Sequence, residues 1–250
     1  MGPFPDPDSI SLILDSEEQT DRLGIYLQDQ IDLLDNLILV AGLRYDTVDR
    51  EVINKVTGAV TNQYDDALTP RIGIVYQPIE PISLYANYAR SFTPSSSTDA
   101  QGQPLPPVEG EGFEVGIRGE IIENRLAATL AYFDITRQNV PTPDPVIPNT
   151  SIATGEQQSR GVDFNLTGEI LPGWNIVASY AYIDARITED NRFPVGNRLN
   201  GISEHSASLW TTYEIQSGDL RGLGFGLGFN YVGERQGDLN NSFAADSHFL

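Results

Sequence analysis

Apolar and polar residues alternate with a period of two along most of this chain. Residues 161–170 and 223–231 show the pattern clearly, with Gly, Asn, Asp, Thr or Glu between the apolar positions. Such alternation places the apolar side chains of a strand on one face. It predicts ten strands, at residues 23–31, 37–46, 71–77, 83–91, 113–121, 125–136, 161–170, 174–184, 205–215 and 223–231, and an eleventh that begins near Ser247.

The predicted strands are long enough to cross a membrane. Nine of the ten run 9–12 residues, whereas strands in soluble proteins average about 5–6 and a tilted strand spans a bilayer in about 9–11. One face is apolar and aromatic, and the other is polar, as lipid on one side and an aqueous lumen on the other require. We therefore predict an all-β fold, a transmembrane antiparallel β-barrel. A soluble sandwich shows the same alternation and stays open as an alternative.

The connections between the strands favour the barrel. Short connections at 33–36, 78–81, 123–124, 171–173 and 217–222 alternate with long ones at about 47–66, 93–110, 138–157, 188–203 and 236–246. Outer-membrane barrels have short periplasmic turns and long extracellular loops. Aromatic residues also lie near the strand ends, where two interfacial girdles are expected. Those near the long connections are Tyr45, Tyr88, Phe92, Tyr132, Phe229 and Tyr231, and Trp174 lies near a short one.

Composition excludes several classes of function. The net charge of −20 argues against nucleic-acid binding, which needs Lys and Arg to neutralise phosphates. The chain has no Cys, which excludes disulfides and thiolate metal sites. Neither His205 nor His248 has a metal-ligand neighbour or a nucleophile signature, so we predict no resident metal, no cofactor and no enzymatic activity.

Ten strands and the start of another do not close a barrel. An open sheet of this size would leave two edges unpaired in lipid, which is not viable. We therefore expect residues 1–250 to form one partial barrel domain, an internal piece of a longer polypeptide. Residues 1–8 lack the basic and apolar regions of a signal peptide.

Several segments together resemble the TonB-dependent siderophore receptors, in particular the ferric-hydroxamate (ferrichrome-type) branch. Their order and spacing carry the resemblance over about residues 20–250. The segments are YLQDQ (26–30), GLRYD (42–46), LYANYARSFTPSS (84–96), GFEVGIR (112–118), AYFDITRQN (131–139), SRGVD (159–163), SYAYIDA (179–185), HSASLW (205–210) and GERQGDLNNSF (233–243).

The resemblance implies a barrel of about 22 strands with an N-terminal plug, of which this chain matches roughly the tenth to nineteenth strands and the start of the twentieth. It also implies a cell outer-membrane location, a ferric siderophore as transported ligand, the TonB energy-transducing complex as a partner through the plug, and contact with outer-membrane lipid or lipopolysaccharide.

Family members bind the ligand at the top of the lumen with aromatic and Arg side chains. By parity, we expect Arg44, Tyr85, Asn87 and, where its strand meets the loop, Arg137 to point inward. Phe92 at a loop start completes the candidate ligand-binding residues.

Other functions stay open at this point. A passive porin-like diffusion channel shares the alternation and the connection pattern but has no plug, and a soluble all-β adhesin or binding module would not need a membrane. A barrel enzyme is disfavoured.

Two glycine features carry further expectations. Gly161 is expected near the start of a strand, where a Cβ would clash. The row of glycines at 224, 226 and 228 either leaves luminal room for a plug or relieves strain in a curved strand.

Overall fold

A computed structural model describes residues 15–148 and 150–249, and the N-terminal segment 1–8 considered above lies outside them. Ten long strands form its body. They are β1 (Ser16–Leu34), β2 (Leu37–Asn54), β3 (Val60–Ile79), β4 (Ile82–Thr93), β5 (Val108–Ile122), β6 (Leu126–Pro143), β7 (Ser151–Leu171), β8 (Trp174–Glu189), β9 (His205–Glu214) and β10 (Gly224–Val232). Three short strands follow, β11 (Arg235–Gln236), β12 (Ala244–Ala245) and β13 (His248–Phe249). No helix in the described part of the chain is long and apolar enough to cross a membrane.

The strands form one antiparallel sheet in chain order. Its eleven members run β1 to β10 and then β13, while β11 and β12 form a separate two-stranded sheet. The predicted eleventh strand is confirmed, since Phe249 pairs with Tyr231 at the far edge. Each long strand pairs with its neighbour in the chain, as expected when short turns and hairpin loops connect antiparallel strands. The all-β architecture predicted from the alternation is therefore present.

At the end of the sheet that carries the long connections, several strands extend further than predicted. The connection between β2 and β3 covers only 55–59 instead of 47–66, and that between β6 and β7 covers 144–150 instead of 138–157. Both predictions were wrong because the outer parts of these hairpins carry polar residues on both faces. The hydrogen-bonded ladder continues there, but the alternation that reveals a half-apolar strand is lost.

Pairing across the sheet defines two faces. Directly paired residues of an antiparallel ladder lie on the same face. One face, which we call the apolar face, carries exposed side chains such as Leu27, Phe225 and Leu227, which are 78%, 62% and 67% exposed. Exposure of this extent in water would be unfavourable, but lipid is its natural solvent. The other, polar face carries the Gly, Asn, Gln, Arg and acidic residues and corresponds to the lumen.

Part of the small buried core lies at the outer end, where a long loop folds back. The loop 94–107 between β4 and β5 buries Ser95 and Leu105, which are 3% and 6% exposed. Arg50 of β2 donates a hydrogen bond to the Ser95 carbonyl oxygen at 3.3 Å. On the opposite side the loop accepts a hydrogen bond from the Ser151 amide to the Thr98 carbonyl, also at 3.3 Å. The loop thus joins the β2–β3 hairpin to the β6–β7 hairpin.

The ladder between β3 and β4 ends early. Its outermost pair is Arg71 with Ala89, although β3 continues outward to Val60 and β4 to Thr93. Pro70 is the next residue of β3 beyond this pair and has no amide hydrogen to donate. A seam therefore opens in the sheet beyond Arg71, and the cavities described below lie along it.

Candidate functional site

Arg44 lies on the polar face of β2 and is held by its neighbour on the same strand. Its Nε and Nη2 donate hydrogen bonds of 2.6 Å to the two carboxylate oxygens of Asp46. Gly24 on β1 pairs with Asp46, and a Cβ at Gly24 would overlap the Arg44 guanidinium. The absence of a side chain at Gly24 therefore makes room for the ion pair. The guanidinium stays about half exposed, with 53% of the side chain accessible.

Tyr85 and Asn87 lie on the polar face of β4. Tyr85 pairs with Gly116 of β5, and its ring covers that glycine so closely that a Cβ would lie 2.5 Å from the ring Cζ. The Tyr85 side chain also lies near the carboxylates of Glu114 and Asp163. Asn87 is half-buried and pairs with Glu114. The surroundings of Tyr85 are therefore acidic.

Phe92 and Arg137 lie apart from those three. Phe92 is the penultimate residue of β4 and shares the face of Tyr88 and Arg90, the apolar face, so it does not point into the lumen. It lines a cavity of about 290 Å³ at the seam. Arg137 is exposed on the polar face of β6, and within the described residues it forms no ion pair. The structure does not bring the five candidates together.

A second cavity, of about 310 Å³, lies on the polar face between β1 and β4. We call it the arginine pocket and define it by Tyr26, Arg44, Thr69 and Arg71. Tyr26 pairs with Arg44 and Arg44 with Thr69, while Arg71 is two residues from Thr69 and is exposed. Sequence reasoning selected Arg44 but missed Tyr26 and Arg71. Both occupy inward positions by parity, but only the register between strands shows that they are neighbours.

The charge around the arginine pocket is opposite to that of the whole chain. Three arginines, Arg22, Arg44 and Arg71, occupy this part of the polar face of β1–β3, against the two carboxylates of Asp46 and Asp65. The chain as a whole carries −20. A local excess of positive charge in an acidic protein concentrates anions where the arginines stand.

The glycine row on β10 has a different explanation from either expectation. Gly226 and Gly228 lie on the polar face, as parity predicted, but the indole of Trp210 on β9 covers them. A Cβ at Gly228 would lie 2.6 Å from the Trp210 ring, and one at Gly226 would lie 3.3 Å away. The Trp210 indole of the neighbouring strand therefore fills the space above these two glycines.

Gly161 was predicted to lie near the start of a strand, but it lies inside β7. The extended hairpin carries the strand ten residues further outward, to Ser151. The expected clash of a Cβ at this position is nevertheless present. A Cβ at Gly161 would overlap the backbone carbonyl of Tyr182 and lie 2.9 Å from the Phe133 ring.

His205 lies among tyrosine side chains. His205 lies on the apolar face, where its Nδ1 and the Tyr180 hydroxyl are 2.9 Å apart, and the Tyr182 ring lies 5.2 Å from the imidazole. Among the residues that the structure describes, no group of three or more His, Cys, Asp or Glu is placed to hold a metal ion. The polar face carries arginines, amides and aromatic rings.

A long-stranded antiparallel sheet with a lipid-type face, a polar face and its loops at one end is the wall of an outer-membrane β-barrel. The family model "TonB dependent receptor-like, beta-barrel" matches residues 2–250, and the chain belongs to this family. The fold class and the outer-membrane location are thereby confirmed, and so is the prediction that the chain is part of a receptor and not an enzyme.

Individual relatives agree with the family. The metal-pseudopaline receptor CntO of Pseudomonas aeruginosa is 36% identical over 233 residues, which cover 91% of this chain and 33% of the relative. The ferrichrome outer membrane transporter/phage receptor of Escherichia coli is 34% identical over 236 residues, with 94% and 31% covered. The chain thus spans about a third of the length of these relatives. They bind different ligands by name, so the comparisons do not single out the ferrichrome-type branch.

Solved structures show the same fold. The siderophore receptor PiuA from Acinetobacter baumannii superposes with a TM-score of 0.84 at 27% sequence identity, covering 94% of this chain and 36% of that one. The ferripyoverdine receptor of Pseudomonas aeruginosa bound to ferripyoverdine superposes with a TM-score of 0.77 at 26% identity, covering 98% and 33%.

Proposed function

We propose that this chain is a barrel portion of a TonB-dependent outer-membrane receptor that takes up a ferric siderophore. The observation that carries the proposal is a polar barrel face lined with Arg, Tyr and Asn, in a chain of this receptor family. Relatives named as receptors for ferrichrome, ferrioxamine B and ferric pyoverdine support an iron chelate as the ligand. In this proposal Arg44, Tyr85, Asn87 and Arg137 contact the ligand from the wall. Phe92, which faces outward, contributes only by supporting the loop 94–107.

The proposed partners follow from the same assignment. The whole receptor would carry a plug inside the barrel, and the TonB complex would drive uptake by acting on that plug. Outer-membrane lipid would surround the apolar face. Arg160 and Arg186 lie on the apolar side at the outer end, and we assign to them the contact with lipopolysaccharide phosphates. Both form ion pairs with Asp184, at 3.5 and 2.6 Å, and Arg160 also lies opposite Asp134. A guanidinium can bind phosphate oxygens in a bidentate manner.

An uptake measurement tests the proposal. The complete receptor is expressed in a strain that lacks its own siderophore receptors, and entry of radioactive iron is followed with a panel of ferric siderophores. We expect uptake of at least one of them, and its loss when TonB is deleted. Entry that persists without TonB, together with a large steady conductance in planar bilayers, would instead identify a passive channel.

Two substitutions test the wall residues. We expect Tyr85→Ala and Arg137→Ala in the complete receptor to weaken siderophore affinity, each by roughly 5- to 30-fold if a hydrogen bond or stacking contact worth about 1–2 kcal/mol is lost. Arg118→Ala, on the polar face near the periplasmic end of β5 and far along that strand from the partner of Arg137, is the matched control for Arg137→Ala. Unchanged affinity in both variants would remove these residues from the ligand site.

A further inference from the structure

We infer that Asn200, with Gly201 after it, is a site of spontaneous deamidation, and that a hydrogen bond to a neighbouring loop controls its rate. Deamidation converts the asparagine to aspartate or isoaspartate without an enzyme. The site lies in the β8–β9 loop (190–204), at the outer end of the sheet. The inference goes beyond the proposed function and does not depend on the ligand of the receptor.

The reactivity of the site begins with the sequence. Asn200 is the only asparagine of the 250 residues that a glycine follows. The attacking atom in deamidation is the backbone nitrogen of the next residue, and a Cβ on that residue hinders its approach. Glycine has no Cβ and reaches backbone conformations that other residues avoid. Asn200 therefore faces the least hindered backbone nitrogen of any asparagine in the chain.

The local structure leaves room for the attack. Asn200 and Gly201 are both exposed, in a turn of the β8–β9 loop. Gly201 has a φ of 91° less than a half-turn from extended backbone in the left-handed region, at 75°. A Cβ added there would have no heavy atom within 4 Å. The asparagine side chain can therefore approach the Gly201 nitrogen without meeting another part of the protein.

Two other asparagines of the outer loops are held in place. The Oδ1 of Asn241 accepts a hydrogen bond from the Arg198 amide, and its Nδ2 donates one to the Arg198 carbonyl oxygen, both at 2.8 Å. The Nδ2 of Asn197 donates to the Leu239 carbonyl oxygen at 2.9 Å. These side chains must break their hydrogen bonds before Cγ can approach the next backbone nitrogen. We therefore expect both to react more slowly than Asn200.

A hydrogen bond also restrains the reactive amide. The Gly201 amide donates to the carbonyl oxygen of Gln236, in the β10–β13 loop, at 2.8 Å. Just before the turn, the Leu199 amide donates to the Ala185 carbonyl oxygen at 2.9 Å, so this flank of the turn is anchored to β8. The Gly201 nitrogen must lose its proton before it attacks, and its hydrogen bond to Gln236 therefore has to open first. Deamidation thus proceeds only from the locally opened state of the two loops.

The reaction needs water and no other reactant. The Gly201 nitrogen attacks Cγ of Asn200, so a C–N bond forms within the chain and the bond from Cγ to the side-chain nitrogen breaks. The Gly201 amide proton leaves with that nitrogen as ammonia. Water then opens the resulting cyclic imide at either carbonyl, which gives aspartate or isoaspartate. Both products add a negative charge, and isoaspartate also inserts a methylene into the backbone beside the Gly201 hydrogen bond.

Peptide mass spectrometry of the folded complete receptor tests the inference. The receptor is incubated in detergent in mildly alkaline, heavy-oxygen water, and incorporation of the heavy oxygen is followed at the asparagines of this chain. We expect Asn200 to react first, ahead of Asn197 and Asn241. It should react more slowly than in an unfolded peptide of residues 194–206, because the hydrogen bond to Gln236 is open for only part of the time.

A pair of matched variants separates the loop contact from a general effect on folding. Asn241→Ala removes hydrogen bonds between the same two loops, so Asn200 should deamidate about fivefold faster or more, which corresponds to about 1 kcal/mol of lost stabilisation. Asn139→Ala is the control. Asn139 also has a positive φ and donates to a backbone carbonyl oxygen, that of Pro107, but in other loops. Its substitution should leave the rate at Asn200 unchanged.

The outcomes bear on the two parts of the inference separately. Faster reaction of Asn197 or Asn241 than of Asn200 would overturn the assignment of the site. A folded receptor that reacts as fast as the unfolded peptide, or a rate that is the same in Asn241→Ala, would overturn the role of the hydrogen bond. Either result leaves the proposal of siderophore uptake in place.

Discussion

Replacing Gly161 by Ala should destabilise the barrel more than any other Gly→Ala change of comparable backbone geometry. The new methyl group would overlap the backbone carbonyl oxygen of Tyr182 on β8 and lie 2.9 Å from the Phe133 ring on β6. A ring can rotate away, but a backbone carbonyl in a ladder cannot move without separating the two strands. Overpacking of this kind costs about 1–3 kcal/mol, and each ladder hydrogen bond that weakens adds about 1 kcal/mol.

We therefore expect Gly161→Ala to lower the free energy of unfolding of the complete receptor barrel by about 2–4 kcal/mol. The assay is a urea titration in detergent, followed by the faster migration of folded barrel in unheated gels. Gly119→Ala is the control, because Gly119 has open space around its Cβ position and should change the stability little. A second variant, Phe133→Ala in the Gly161→Ala background, should not restore stability. Full recovery on removing the ring would refute the backbone explanation.

Three other predictions follow from packing and hydrogen bonding at the far edge and in the loops. Gly228→Val should destabilise the barrel by about 1–3 kcal/mol by displacing the Trp210 indole, and Trp210→Thr in the same chain should recover much of the loss in the urea assay. Asn241→Ala removes side-chain hydrogen bonds that join the β8–β9 loop to the β10–β13 loop, so amide exchange in both loops should quicken while the strands stay protected. Hydrogen bonds from Ser242 hold the pKa of the Asp238 carboxyl below its ordinary value. The stability that these bonds give to the loop is fully present above the ordinary pKa. It is lost as the pH falls through the lowered pKa. The protection of the Ser242 amide, measured as its exchange rate relative to that of an unstructured peptide at the same pH, should therefore fall below about pH 4. Protection that stays constant in acid would contradict this explanation.

The sequence predicted the elements where lipid imposes a pattern. Along Leu23–Leu27 or Phe225–Tyr231, every second side chain is apolar, and that pattern is visible without a structure. Outside the membrane no such requirement acts, and the extensions of β2, β3, β6 and β7 were not predicted. Their hairpins are stabilised by backbone hydrogen bonds, which leave no signature in residue type.

The candidate site was predicted in part for a related reason. Parity alone showed that Arg44, Tyr85 and Asn87 face the lumen, because alternation fixes the side of a strand on which a residue lies. Parity was not applied to Phe92, and the ladder places it on the other face. Family resemblance supplied the receptor class, although it favoured a ferrichrome-type ligand more narrowly than the relatives support.

Alternation and strand length show without a structure that the chain is a membrane-barrel wall with one polar face, because a period of two and a bilayer-spanning length are local properties of each strand. Which polar-face residues are neighbours is visible only once the strands are paired. The register joins Tyr26 to Arg44 and places Arg71 between Gly42 and Ala89, and it places Trp210 over Gly228. Register depends on the matching of whole strands distant in sequence, so no single segment records it.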